Sequence, residues 1–198
     1  SVLQGIIKLR QVCCSPLLLK EELTGNIPSV KIDVLLDELM NNLSNNKVLV
    51  FSQIKEMRHL IAARLQENNI SFFHFDGDTK LEERRDLVAK FQEEQDTTNV
   101  FLMSLKTGNA GITLTAADYV FLVDPWWNAA IEQQAIDRTH RIGQTKNVFA
   151  YKMICRNTIE EKIIEIQQRK QVTSDALISE EDGFVKNLTQ DDIAYLFE

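Results

Sequence analysis

Two arginines, Arg138 and Arg141, stand three residues apart in Gln134-A-I-D-R-T-H-R-I-G-Gln144, within a chain whose formal net charge is -7. On a helix, positions three and four apart share a face, so Gln134, Arg138 and Arg141 are expected along one side of about two turns. Like charges so placed repel by roughly a few tenths of a kcal/mol per pair, which asks for a compensating anion. A phosphoryl group is one candidate, because an arginine finger stabilises charge developing during its transfer and can be supplied from another domain or chain. A structural ion pair is the other, with Glu132, Asp137 or Asp124 as the carboxylate. The residues alone leave both readings open.

Other chemistries find little support. A self-sufficient nucleotide site carries Gly-x-x-x-x-Gly-Lys-Ser/Thr, and the chain has none; Gly108-N-A-Gly111 lacks the lysine and hydroxyl at that spacing. Neither a Gly-x-Ser-x-Gly elbow nor a His-Glu-x-x-His pair occurs. His59 and His74 read as core or surface residues, and Cys13, Cys14 and Cys155 form no Cys-x-x-Cys pair, so reduced thiols and no metal site are expected. Trp126 and Trp127 could stack on bases or pack in the core.

Positioning these residues requires a scaffold. Lys47-V-L-V-Phe51, Ser71-F-F-H-Phe75, Val100-F-L-Met103, Tyr119-V-F-L-Val123 and Val148-F-A-Y-K-M-Ile154 read as strands, several too apolar to leave one face in water. Helical periodicity links them: Ile32, Leu35, Leu36, Leu39 and Met40; Ile54, Met57, Leu60, Ile61 and Leu65; Leu87, Val88 and Phe91. Asn128 is placed to cap the helix entering the arginine stretch. Thr158-I-E-Glu161 has capping-box spacing ahead of an Ile159, Ile163, Ile166 stripe. Alternating strands and helices predict an α/β fold, a parallel sheet covered on both faces, with ligands at the carboxyl ends of the strands. A helix over Val2–Cys13 precedes the sheet, and Leu188–Phe197 predicts a small terminal helix.

Charge is unevenly spread. Between Asp137 and Lys170 basic residues outnumber acidic ones, whereas Asp175, Glu180, Glu181, Asp182, Asp191, Asp192 and Glu198 face only Lys186, a run expected to be a solvated tail. No apolar run approaches the roughly 18 residues that cross a bilayer, so an intracellular protein with no membrane partner is expected.

Taken in order, Lys47-V-L-V-F-S-Gln53, Phe75-D-Gly77, Ser104-L-K-T-G-N-A-G-I-T-Leu114, Asp124-P-W-W-Asn128 and Gln134-A-I-D-R-T-H-R-I-G-Gln144 resemble the C-terminal RecA-like lobe of Swi/Snf-type DNA translocases. Leu9-R-Q-V-C-C-S-Pro16, Ser29-V-Lys31 and Thr158-I-E-E-Lys162 fit the same pattern. Asn109 stands where the family often has glycine, and Thr113 where it often has asparagine. The resemblance implies a RecA-like lobe over residues 47–170, a helical lead-in over 1–46 and an acidic tail with a short helix over 171–198. It implies the second of two lobes that close over ATP and Mg2+, both held mainly by the N-terminal lobe. Arg138 and Arg141 would be arginine fingers, with Gln134 helping to place them or the attacking water, and Gly111 would lie against the nucleotide.

By the same resemblance, Ser52, Gln53, Ser104, Leu105, Lys106 and Trp127 would meet double-stranded DNA, Leu105 through its backbone amide. The partners implied are duplex DNA, the N-terminal lobe and, in remodelling members, DNA-bound proteins. The isolated chain is expected to be inactive, and the compact motif spacing suggests a bacterial cytoplasm rather than a nucleus. Two other classes compete: a non-catalytic nucleic-acid or protein-binding module that keeps the lobe fold, and a self-sufficient Rossmann-like enzyme, which would need a Gly-x-Gly-x-x-Gly fingerprint.

Overall fold

The computed structural model describes residues 1–19, 27–75, 77, 79–93, 96–108, 113–125, 129–137, 139, 144–171 and 181–198. Short apolar runs pair into one parallel five-stranded sheet, in the order β2-β3-β1-β4-β5. The strands are β1 (Val48–Phe51), β2 (Phe72–His74), β3 (Val100–Met103), β4 (Tyr119–Leu122) and β5 (Phe149–Lys152). β1, β3 and most of β4 are buried, as runs of valine, leucine and phenylalanine demand when both faces are covered. The edge strand departs from that expectation, since all four residues of β5 are exposed.

Helices cover the two faces. Val48, Val50, Val100, Leu102 and Phe121 meet α2 (Val30–Asp37) and α3 (Lys55–Glu67) through Ile32, Leu35, Leu36, Met57, Ile61 and Leu65. On the other face Leu49, Phe51, Phe101, Met103, Val120 and Leu122 meet Phe91 of α4 (Leu81–Gln92) and Ala135 of α6 (Ala129–Asp137). Phe101 is surrounded by Phe73, Phe75 and Phe91 with ring centroids 5.3–5.8 Å apart.

Met40, expected on the buried stripe of α2, is exposed while Leu39 is buried. The cause is a π turn over Glu38–Asn42, closed by Leu43 N–H on the Glu38 carbonyl at 2.9 Å. Its extra residue rotates the stripe and brings Leu43 into the core.

A third cluster lies beside the sheet. α1 (Val2–Cys14) buries Ile6 against Ile159, Ile163 and Ile166 of α7 (Ile159–Gln171), Phe184 of α8 (Glu181–Lys186) and Leu196 of α9 (Gln190–Phe197). The terminal segment is therefore not simply solvated: Phe184 and Leu196 are buried in this cluster, and Asp192 pairs with Lys170 at 3.0 Å. Thr189 caps α9 with a full capping box. At α7 the reciprocal bond shifts by one residue. Thr158 Oγ1 accepts from Glu160 N–H at 3.2 Å, while Glu161 accepts from Asn157 N–H at 2.6 Å.

Candidate nucleic-acid and nucleotide interface

The connections leaving β1 and β4 run in opposite directions, β1 through α3 to β2 on one side and β4 through α6 to β5 on the other. Adjacent strands whose connections diverge open a crevice at their carboxyl ends, the usual ligand position in such sheets. Here the crevice is closed at its base by Asp124. Its carboxylate accepts from Gln53 N–H at 2.8 Å, Ile54 N–H at 3.1 Å and the Ser52 hydroxyl at 2.9 Å. Arg58 reinforces the loop, donating to the Ser52 and Gln53 carbonyls at 2.7 and 3.3 Å.

Asp124 is 3% exposed, and burial pushes its carboxyl pKa up, against the three hydrogen bonds and the nearby Arg10 guanidinium, which pull it down. Replacing it with alanine leaves two part-buried N–H groups without their acceptor and the Ser52 hydroxyl with its longer bond to the Ile54 carbonyl. Asp124→Ala is expected to cost about 2 kcal/mol, read as a lower urea midpoint, with Asp124→Asn recovering part of the loss.

Arg10 of α1 donates to the Pro125 carbonyl, tying the lead-in helix to the loop after β4. Below it, Lys31 donates to the Val123 carbonyl at 2.7 Å and to Glu160 at 2.6 Å, and the second Glu160 oxygen accepts from Cys155 N–H at 2.9 Å. The end of β4 is thus held from α1, α2 and α7 together. The neighbouring thiols of Cys13, Cys14 and Cys155 have pKa values raised by burial and stay protonated near neutral pH. Among the described residues no group of His, Cys, Asp or Glu could hold a metal ion.

The residues expected to meet DNA fall on adjacent loops. Phe51 pairs in register with Met103, so Ser52–Gln53 and Ser104–Lys106 leave the sheet side by side, joined by Ser52 N–H on the Met103 carbonyl at 3.1 Å. Their side chains differ in access. Ser52 is 0% exposed, Ser104 and Leu105 are buried, and Lys106 is exposed at the start of α5 (Leu105–Gly108). Gln53 is half-buried, with an Nε2 that has no partner among the described residues. α5 packs on α6, and α6 carries Gln134 on its exposed side.

α6 is described through Asp137, and Arg138 and Arg141, with which Gln134 was expected to share a helical face, lie outside the described residues. Thr139 turns back, with its N–H and hydroxyl both donating to the Ile136 carbonyl at 2.9 and 2.5 Å. Arg138, Arg141, Gly111, Trp126, Trp127 and the expected cap Asn128 lie outside the described residues. Of the carboxylates considered for a structural pair, Glu132 is bridged to Lys152 and Asp137 accepts from Gln133 at 2.8 Å.

Gln144 is a site residue that pattern reading missed. Its Nε2 donates to the carbonyls of Thr115, Ala117 and Thr139 at 2.8, 3.1 and 2.9 Å, and its Oε1 accepts from Lys146 N–H at 2.9 Å. It fastens the end of the arginine stretch to the turn before β4. The only sequence sign of this was its place at the end of the motif.

Residues 30–143 match the helicase conserved C-terminal domain. The chain belongs to that family. Its relatives place it with the C-terminal lobes of Swi/Snf-type ATPases. It is 35% identical over 199 residues to an ATP-dependent helicase of Mycoplasma genitalium, covering 100% of this chain and 19% of that protein. It is 42% identical over 148 residues to the human chromatin-remodeling ATPase INO80, covering 75% of this chain and 9% of that one. Among solved structures, the Sulfolobus solfataricus SWI2/SNF2 ATPase core in complex with dsDNA superposes with a TM-score of 0.77 at 29% identity, over 98% of this chain and 41% of that one. The sheet is RecA-like, and the chain spans about a fifth or less of the curated relatives cited.

Proposed function

We propose that this chain is the second motor lobe of a DNA-dependent ATPase that translocates on double-stranded DNA and remodels protein–DNA complexes. The observation that carries the reading is its alignment, over 98% of its length, with under half of an ATPase core that holds duplex DNA. In this reading Arg138 and Arg141 reach phosphates of ATP whose Mg2+ and phosphate cradle belong mainly to the N-terminal lobe, Gln134 and Gly111 lie against the nucleotide, and neither ATP nor the metal is held by this lobe alone. The lobe's own contribution to DNA is the pair of loops beside the β1/β4 crevice. Lys106 supplies charge, while Gln53, Leu105 and Trp127 supply a side-chain amide, a backbone donor and a ring. Ser52 and Ser104, buried as they are, act by shaping those loops. Contacts of this kind read no base sequence. The protein works where the DNA is, in the nucleoid of a bacterium or the nucleus of a eukaryote.

ATP hydrolysis by the 198-residue chain, with and without duplex DNA, tests this directly against the parent protein carrying both lobes. The expected result is no turnover from the chain alone and DNA-stimulated turnover from the two-lobe protein. Robust turnover by the chain alone would mean a complete phosphate site within it and would end the split-site reading. For DNA, Lys106→Ala is expected to lower the slope of log affinity against log salt by about one, measured by fluorescence anisotropy at several salt concentrations. An unchanged slope removes Lys106 from the footprint.

A further inference from the structure

Among the described residues nothing pairs with the outer side of β5, an edge strand of the sheet, and its exposure has a specific pattern. Phe149 and Met153 turn their N–H groups to β4, donating to the Asp118 and Leu122 carbonyls at 2.8 and 2.9 Å. Because alternate residues of a parallel strand bond to opposite sides, Ala150 and Lys152 present N–H and C=O to the open edge. Unpaired backbone groups in a row are a template for another strand unless something blunts them.

The surface beside this edge is apolar. Phe149 and Tyr151 are 47% and 48% exposed and stack on Tyr119 and Phe121, each pair with centroids 5.2 Å apart. An exposed aromatic surface beside a strand edge that no described residue pairs is of the kind that binds an extended chain.

Charge selects the occupant. Lys146, Lys152 and Arg156 are exposed along the strand and at its two ends. Of the nearby carboxylates, Glu132 is bridged to Lys152 and Glu160 to Lys31, Glu161 accepts from Asn157 N–H, and the buried Asp118 accepts from Asn46. A second copy of this chain would set the same basic residues against each other, and like charges across a strand pair are destabilising.

We propose that β5 takes up an extended segment of a partner protein, with acidic and apolar residues alternating, as an added strand of the sheet. Main-chain bonds to Ala150 and Lys152 supply affinity. Apolar side chains on one face settle on Phe149 and Tyr151, and acidic ones meet Lys146 and Arg156.

The test is fluorescence anisotropy of the chain with a labelled peptide of about a dozen alternating Glu and Val residues. Saturable binding is expected, weakened about tenfold or more by Ala150→Pro and by Lys146→Glu combined with Arg156→Glu. Ala150→Pro removes an outward N–H that the β4 ladder does not use, so the urea midpoint is expected to stay unchanged. Should that variant fail to fold, amide exchange on the parent chain gives the same answer, with the Ala150 and Lys152 N–H groups slowed by peptide. The proposal is overturned by equal affinity for Ala150→Pro, by no slowing at those amides, by equal affinity for a peptide with Glu and Val in separate blocks, or by dimerisation through this edge.

Discussion

Arg141→Ala, made in the protein carrying both lobes, is expected to lower DNA-stimulated ATP turnover roughly 10³-fold while leaving thermal unfolding and DNA affinity near their parent values. The effect falls on kcat, because a finger acts on charge that develops during transfer more than on bound ATP. Arg138→Ala is expected to be comparably severe. Lysine should restore little at either position, since an ammonium keeps the charge but loses the planar fork that meets two phosphate oxygens at once. Gln134→Ala should be milder. Its amide carries no charge to set against a phosphoryl group, so its part is to place the arginines or the attacking water. Turnover within about threefold of parent for both alanine variants would remove the finger role, because finger losses are on the order of 10³ or more. A drop accompanied by a lower unfolding temperature would assign the arginines to structure.

Much of the scaffold was legible because its signals are local. Val48–Phe51 and Val100–Met103 read as strands too apolar to leave one face in water, and both are buried throughout. The Ile159, Ile163, Ile166 stripe is buried as its period requires. What escaped reading depends on partners distant in the chain. Met40 keeps the helical period perfectly well, but the π turn over Glu38–Asn42 turns it outward. β5 is as rich in aromatic residues as β4, but it lies at the edge of the sheet and is exposed throughout. At the site, Asp124 was visible as part of a motif, yet its partners Ser52, Gln53 and Ile54 are some seventy residues earlier. Gln144 carries no pattern of its own, and its four bonds exist only once the turn before β4 is folded against it.

The charge beneath this site yields the largest stability prediction. Lys31 and Glu160 meet at 2.6 Å with side chains 3% and 1% exposed, one at the start of α2 and the other at the start of α7. Lys31→Met leaves the Glu160 carboxylate buried beside Cys155 with its Lys31 countercharge gone, and removing one member of such a pair costs about 3–5 kcal/mol. Glu160→Gln should be gentler, because the amide oxygen still accepts from Lys31, which also keeps the Val123 carbonyl. Lys31→Met combined with Glu160→Leu is expected to recover most of the loss, since an apolar pair of similar volume avoids desolvating two charges. The residue left over is the unpaired Val123 carbonyl and Cys155 N–H, about 1–3 kcal/mol if both stay dry. Urea unfolding of the four proteins decides the matter: Lys31→Met within about 1 kcal/mol of parent would mean that water or protonation relieves the buried charge. The apolar double variant also separates two roles of the pair. It keeps the fold but gives up the ionic hold on the Val123 carbonyl next to Asp124, so DNA-stimulated turnover falling in a stable double variant would show that this charge positions the crevice as well as holding the helices together.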